Sequence, residues 1–347
     1  MAVAELPRPA RAQRLRRSDP SAPGLARRRC GKGFMYLDEQ GARITDAEIV
    51  ARIAGLVIPP AWRDVWISPD PFGHIQATGF DEAGRKQYLY HPRWRERRDQ
   101  EKFDDMVRFA RALPALREVV DHDLALGDLS REQVLACAAR LLDRGFFRIG
   151  SEEYAVANET YGLATMLKQH VVVRGETLTF DYVAKESKRC VRAIVDPDIA
   201  ALVATLKRRR GGGPELLAYK RDGRWCDVRS PDINAYLKAA TGLDVSAKDF
   251  RTWGATVLAA VALAVTQPEH LGRTARKRAI VRAVKEVAFY LGNTPTVARN
   301  SYIDPRVFDR YEDGQTIKPA LGMIGDDRSE TAIQGPVEEA VLDLLDG

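Results

Sequence analysis

Cysteine is scarce in this chain, and that scarcity is the first constraint on what it is. Four cysteines, Cys30, Cys137, Cys190 and Cys226, stand among 347 residues. They are scattered, with neither the pattern of a disulfide framework nor the paired spacing of a zinc site. A cytoplasmic compartment with reduced thiols is the expectation. The five histidines are equally dispersed, and no two share metal-ligand spacing. There is no Walker phosphate loop, no dinucleotide fingerprint and no His-Glu-x-x-His pair. No apolar run reaches the roughly 18 residues that a membrane span needs. The N-terminus carries no apolar core of the signal-peptide kind. These absences argue against a disulfide scaffold, a membrane protein, a zinc hydrolase and a nucleotide-driven enzyme. An enzyme built on this chain is expected to work without metal or cofactor.

The charge is informative once it is divided. The formal net charge is +6. Residues 1–32 carry eight arginines and one lysine against Glu5 and Asp19, whereas residues 326–347 carry seven acids against Arg328. The body between them is only mildly basic, so any nucleic-acid footprint on it must come from clustering. The basic N-terminal segment, residues 1–29, reads as a disordered arm with salt-sensitive affinity for phosphate. Residues 326–347 read as an acidic tail, with a short amphipathic helix possible over Val337–Leu345.

Between these ends the chain divides into two parts. A small domain is expected over residues 30–94, starting near Gly31. It combines a helix capped by Thr45 with strands at Val65–Ser68, His74–Gly79 and Lys86–His91. From Arg95 the spacing turns helical: Glu101–Leu113, Arg131–Arg144, Ile199–Arg208, Asp232–Ala240, Thr252–Val265 and Ala275–Leu291. A β interruption runs through Val171–Val173, Leu178–Tyr182 and Cys190–Ile194. Arg208–Pro214 reads as a flexible basic loop. The fold class is α+β, with a small N-terminal β-sheet domain followed by a mainly α-helical domain, residues 95–325, that carries a small antiparallel sheet.

Cutting a phosphodiester without metal needs a nucleophile, cations for the charged five-coordinate phosphorus and an acid for the leaving oxygen. Arginine suits the cation role because its planar fork matches two phosphate oxygens and stays charged. Lysine suits the acid role because neighbouring cations lower its pKa. Tyrosine stores the bond as a phosphotyrosine and so makes the cut reversible. Four segments supply these groups. They are Gly145-Phe-Phe-Arg-Ile-Gly150 with Asn158-Glu-Thr-Tyr-Gly-Leu163, then Leu178-Thr-Phe-Asp-Tyr-Val-Ala-Lys185, then Lys248-Asp-Phe-Arg-Thr-Trp-Gly254, and finally Leu291-Gly-Asn-Thr-Pro-Thr-Val-Ala-Arg-Asn-Ser-Tyr302.

In this order the segments resemble the poxvirus-like bacterial type IB DNA topoisomerases, which share a catalytic fold with the tyrosine recombinases. The resemblance implies that Arg148 and Arg251 are the catalytic arginines, Lys185 the catalytic lysine and Tyr302 the nucleophile. Asn293 stands where viral members carry histidine; it can donate one hydrogen bond but brings no charge. Ala184 replaces a glycine of the viral pattern. Upstream, Gly84-Arg-Lys-Gln-Tyr-Leu-Tyr90 is similar to the family's DNA-facing strand. Alternation puts Lys86, Tyr88 and Tyr90 on one face, with Arg85 and Gln87 on the other. These five, with Lys248, are the expected DNA contacts. The resemblance further implies a C-shaped clamp on duplex DNA, a monomer associated with the nucleoid, and relaxation through a 3′-phosphotyrosyl intermediate without ATP.

Each residue alone has a plainer explanation. Arg148 and Lys185 read as surface charges, Arg251 as a local partner of Asp249, Asn293 as a turn residue and Tyr302 as a core aromatic. Their joint occurrence in order carries the weight. Two rival readings stay open at this point. A site-specific tyrosine recombinase shares the chemistry, although it usually carries His-x-x-Arg where this chain has Lys248-Asp-Phe-Arg251. A noncatalytic DNA-binding protein of the same fold would keep the residues and lose the reaction.

Overall fold

The computed structural model describes residues 14–266, 271–323 and 334–347, and the chain divides into two compact units, Met1–Lys102 and Phe103–Gly347. The first unit is a five-stranded antiparallel sheet with one helix. Its strands are β1 (Leu25–Cys30), β2 (Gly33–Leu37), β3 (Arg63–Ile67), β4 (Ile75–Phe80) and β5 (Lys86–Tyr90), in spatial order β2-β1-β3-β4-β5. Helix α1 (Ala47–Gly55) contributes Ile53 to a small core with Leu25, Ile58, Val65, Ile67 and Ala77.

Four expectations need correction in this fold. The arm read as disordered lies partly outside the described residues, at 1–13, but residues 14–29 are ordered into the unit. Arg16 bridges to Gly73, Ser18 bonds His74 and Ile75, and β1 pairs with both β2 and β3. The reason is a half-buried arginine. Arg27 donates to the carbonyls of Ile58, Pro59 and Trp62 and stacks over Phe34, with its Cζ 4.1 Å from the ring centroid. Those bonds satisfy a charge where an apolar residue is expected, so Leu-Ala-Arg-Arg-Arg-Cys hides its strand. The helix cap is Asp46 rather than Thr45: the Asp46 carboxylate accepts from the Glu48 and Ile49 amides.

The second unit is mainly helical. Helix α2 (Pro92–Leu124) runs through the division between the units, eight residues past the boundary expected at Arg95. It is followed by α3 (Arg131–Gly145), α4 (Glu152–Asn158) and a three-stranded antiparallel sheet of β6 (Val171–Arg174), β7 (Thr177–Ala184) and β8 (Lys188–Val195). Then come α5 (Pro197–Arg208), the hairpin β9 (Ala218–Arg221) and β10 (Arg224–Asp227), α6 (Ser230–Thr241), α7 (Ala247–Ala264) and α8 (Arg273–Leu291). The chain closes with α9 (Pro295–Ser301), α10 (Arg306–Glu312), α11 (Lys318–Met323) and α12 (Pro336–Asp346).

Helix α7 organises this core. It packs against α3, α6, α8, α10 and α12, and buries Phe250, Trp253, Val257 and Leu263. Helix α12 matches the helix offered over Val337–Leu345 and corrects only the reading of this stretch as tail. Residues 324–333 of the region around the acidic tail lie outside the described residues, but 336–346 belong to the core through buried Val337, Val341 and Leu345. Its Glu338 accepts from Arg117, which also holds Asp143, and from the Trp253 indole at 2.9 Å. Among the described residues no helix is long and apolar enough to cross a membrane.

Candidate active site

The Gly145–Gly150 segment leaves α3 through Phe146, whose φ of 53° turns the chain out of the helix. Phe147 then enters the core edge-on to Phe180 of β7, with ring centroids 4.9 Å apart. Arg148 points the other way. Its backbone is held by the Tyr161–Ala164 segment: the amides of Leu163 and Ala164 donate to the Arg148 and Ile149 carbonyls, while the Tyr161 amide donates to Val183. That segment therefore ties the Arg148 loop to the end of β7, where Lys185 begins. The contact is backbone on backbone. A Cβ on Gly162 would meet the Gly150 nitrogen at 2.4 Å and the Arg148 carbonyl oxygen at 2.7 Å. Both glycines of the motif are explained by this close approach.

Lys185 stands exposed at the tip between β7 and β8, where Glu186 and Ser187 take φ of 65° and 54°. It makes no hydrogen bond among the described residues. Glu186 is held below the usual carboxylate range by its hydrogen bond and charge contact with Lys188, and it also feels Lys185 and Arg148. The tip is thus within electrostatic reach of the Arg148 loop.

Arg251 lies on α7 and is 4% exposed. Asp249 does not pair with it, because that carboxylate closes a capping box with Ser246. Instead Arg251 donates to the carbonyls of Phe146 and Leu291, the latter at 2.9 Å. Its Cζ lies 5.4 Å from the centroid of the Tyr302 ring. Burial pushes the Arg251 guanidinium down to about 10, and repulsion from Arg148 and Arg192 adds to this while Tyr302 opposes it.

The Gly292-Asn-Thr-Pro295 motif is a helix stop followed by a helix start. Gly292 takes φ of 62°, and the Gly292 and Asn293 amides return to the Phe289 and Ala288 carbonyls in a Schellman arrangement. Thr294 then caps α9, with Pro295 in its first turn. Helix α9 ends at Tyr302, whose carbonyl accepts from Thr256 of α7, while Thr256 also accepts from the Asp304 amide. One helix therefore positions both Arg251 and Tyr302.

The C-terminal carbonyls of α8 gather the arginines. Tyr290, Leu291 and Gly292 accept in succession from Arg192, Arg251 and Arg148, and Asn293 Oδ1 accepts from Arg148 as well. These are the unsatisfied carbonyls at the negative end of the helix dipole. None of the three guanidiniums has a carboxylate partner among the described residues. Asn293 Nδ2, Arg251 Nε and Arg192 Nε are buried donors without a hydrogen-bond partner.

Arg192 is the residue that sequence reasoning missed. Its signal was available: on β8 it lies between Cys190 and buried Ile194 on the inward face, while Val191 and Val195 face out. A cation on the inward face of a strand needs a partner or a task.

Lys86, Tyr88 and Tyr90 form an exposed row on edge strand β5. The two tyrosine rings stack at 6.0 Å and Lys86 sits over Tyr88. Arg85 and Gln87 lie on the other face, both bonded to Asp81. Lys248 is exposed in the first turn of α7, one turn before Arg251. No cluster of His, Cys, Asp or Glu among the described residues is placed to hold a metal ion.

Comparison with known proteins matches this architecture part by part. Residues 91–319 match the family model of the eukaryotic DNA topoisomerase I catalytic core, and residues 33–81 match that of the bacterial DNA topoisomerase IB N-terminal domain. The DNA topoisomerase 1B of Acanthamoeba polyphaga mimivirus is 27% identical over 294 residues, covering 83% of this chain and 88% of the relative. The DNA topoisomerase 1B of vaccinia virus (strain Copenhagen) is 20% identical over 236 residues, 68% of this chain and 72% of the relative. The DNA topoisomerase 1 of rabbit fibroma virus (strain Kasza) is 21% identical, covering 67% and 70%. With its catalytic core matched over two thirds of its length and a bacterial-type N-terminal domain before it, the chain belongs to the type IB DNA topoisomerase family.

Proposed function

We propose that this protein relaxes supercoiled duplex DNA by cutting and resealing one strand, with Tyr302 as the nucleophile. The observation that carries the reading is the group of guanidiniums held by backbone carbonyls, one of them over the Tyr302 ring, with no carboxylate among the described residues paired to them. Carbonyl dipoles fix the arginines without cancelling their charge. A phosphate entering there meets preorganised positive potential and donors that lack an acceptor.

In this reading Tyr302 Oη bonds to the scissile phosphorus as the bond from phosphorus to the 5′ oxygen breaks. The phenol releases its proton to solvent water as it attacks, and Lys185 supplies a separate proton to the leaving group and recovers it on resealing. Arg148, Arg251 and Asn293 Nδ2 receive the charge that develops on the nonbridging oxygens. Lys185, relayed with Arg148, protonates the departing 5′ oxygen. One phosphoester replaces another, so the bond energy is kept in the phosphotyrosine. The free 5′ end swivels, torsional strain relaxes, and the 5′-hydroxyl attacks back. Lys86, Tyr88 and Tyr90 are the DNA-facing row of the N-terminal unit, flanked by Arg85 and Gln87. Lys248 adds a phosphate contact beside α7. The protein acts as a monomer on nucleoid DNA in the cytoplasm.

The acid role is the most specific part of this scheme. Lys185→Ala is expected to cut ordinary DNA poorly and to recover on a 5′-bridging phosphorothiolate, whose sulfur leaves without a proton. Lack of rescue would take Lys185 out of the acid role.

A further inference from the structure

The basic loop after α5 has no part in the site described above. It is not flexible. Arg209, 9% exposed, is its internal post: the guanidinium donates to the carbonyls of Leu206, Gly213, Glu215 and Leu216. The same group lies 5.5 Å from the Trp225 ring of β10, and Lys220 of β9 lies 5.5 Å from that ring as well. The loop and the hairpin are thereby fixed to one another. Between them runs an open groove of about 750 Å³, lined by Arg209, Arg210, Lys220, Arg224, Trp225 and three glycines, with Glu215 and Asp227 acting on Arg209 from outside that lining.

Two properties make the groove a receptor for anions. Arg210, Lys220 and Arg224 are exposed and form no ion pair among the described residues, whereas Arg108 and Arg111 on α2 are neutralised by Asp105 and Asp346. The backbone is also bare. Gly211 and Gly212 take φ of 88° and 69°, and a Cβ on Gly212 would meet Trp225 at 2.9 Å, so no side chain fills the groove there. Unpaired cations on a braced backbone along an open channel match a run of phosphates better than a single small anion, which calls for an enclosed site.

We infer that this groove binds the phosphodiester backbone of duplex DNA, as a second contact separate from the phosphate that is cut. The inference rests on the DNA-relaxing reading above. Its test is equilibrium binding of a duplex oligonucleotide by the full chain across a salt series, in a Tyr302→Phe background so that the DNA stays uncut. Each phosphate contact contributes about 0.9 to the slope of log affinity against log salt. Arg210→Gln with Arg224→Gln is expected to reduce that slope by about two. Arg210→Lys with Arg224→Lys keeps the charge and is expected to keep the slope. Arg108→Gln with Arg111→Gln, the same change in net charge at neutralised positions, is expected to move it far less. An unchanged slope in the first pair, equal loss in the lysine pair, or equal loss in the α2 pair would each overturn the inference. Because the readout is binding, a protein that used the groove but cut no DNA would pass this test, and one that cut DNA without the groove would fail it.

Discussion

Asn293 is the neutral side chain among the arginines of this proposed site. Its oxygen accepts from Arg148 and its Nδ2 is buried without a partner among the described residues, so both of its amide N–H donors are free. A neutral donor strengthens its bond as charge grows on a nonbridging oxygen. Loss of one such donor typically costs about a hundredfold or more in rate. Asn293→Ala is expected to slow single-turnover cleavage to that degree, while Asn293→His keeps or raises it. Equal loss in both variants would remove Asn293 from the charge-stabilising role. Arg251 makes a second claim at this scale. Its folded-state value is depressed to about 10, so the free protein holds the cation below that pH and loses it above. The kcat/KM profile for cleavage is therefore expected to fall as pH rises through about 10. A bound phosphate favours the charged form, so the fall in kcat lies at higher pH. A kcat/KM that keeps rising well above pH 10 would contradict this.

At the scale of elements, the residues proposed to do the chemistry were legible and several that hold them were not. Arg148, Arg251, Asn293 and Tyr302 sit in motifs with recognisable punctuation, such as the helix stop and start at Gly292-Asn-Thr-Pro295. Thr256, which anchors the backbone after Tyr302, is a buried threonine inside an apolar helix and leaves no pattern. Arg192 left one, as a charge on an inward strand face, and was overlooked. The pairing of Gly150 with Gly162 was invisible because it depends on two loops meeting across 12 residues of sequence. Its consequence is testable. A methyl group on residue 162 must displace the Arg148 carbonyl, so Gly162→Ala is expected to lower cleavage sharply while duplex binding changes little. Full activity in that variant would mean that the Arg148 loop tolerates displacement.

At the scale of the molecule, composition misled at both ends of the chain. Arginine-rich residues 14–29 and acid-rich residues 336–346 look like solvated tails when charge alone is read. Each is ordered by charges with specific partners: Arg27 on three carbonyls, and Glu338 on Arg117 and Trp253. The α+β class and the change in character after the small sheet were legible because periodicity survives at that scale. The account stands or falls on whether Tyr302 becomes linked to DNA. The direct measurement is trapping of the covalent complex, by denaturing wild type and Tyr302→Phe on supercoiled plasmid in EDTA and scoring protein-linked nicked DNA. The account predicts a 3′-linked adduct and relaxation for the wild type, and neither for Tyr302→Phe despite near-normal DNA binding. An adduct or continued relaxation in the Tyr302→Phe protein would contradict it.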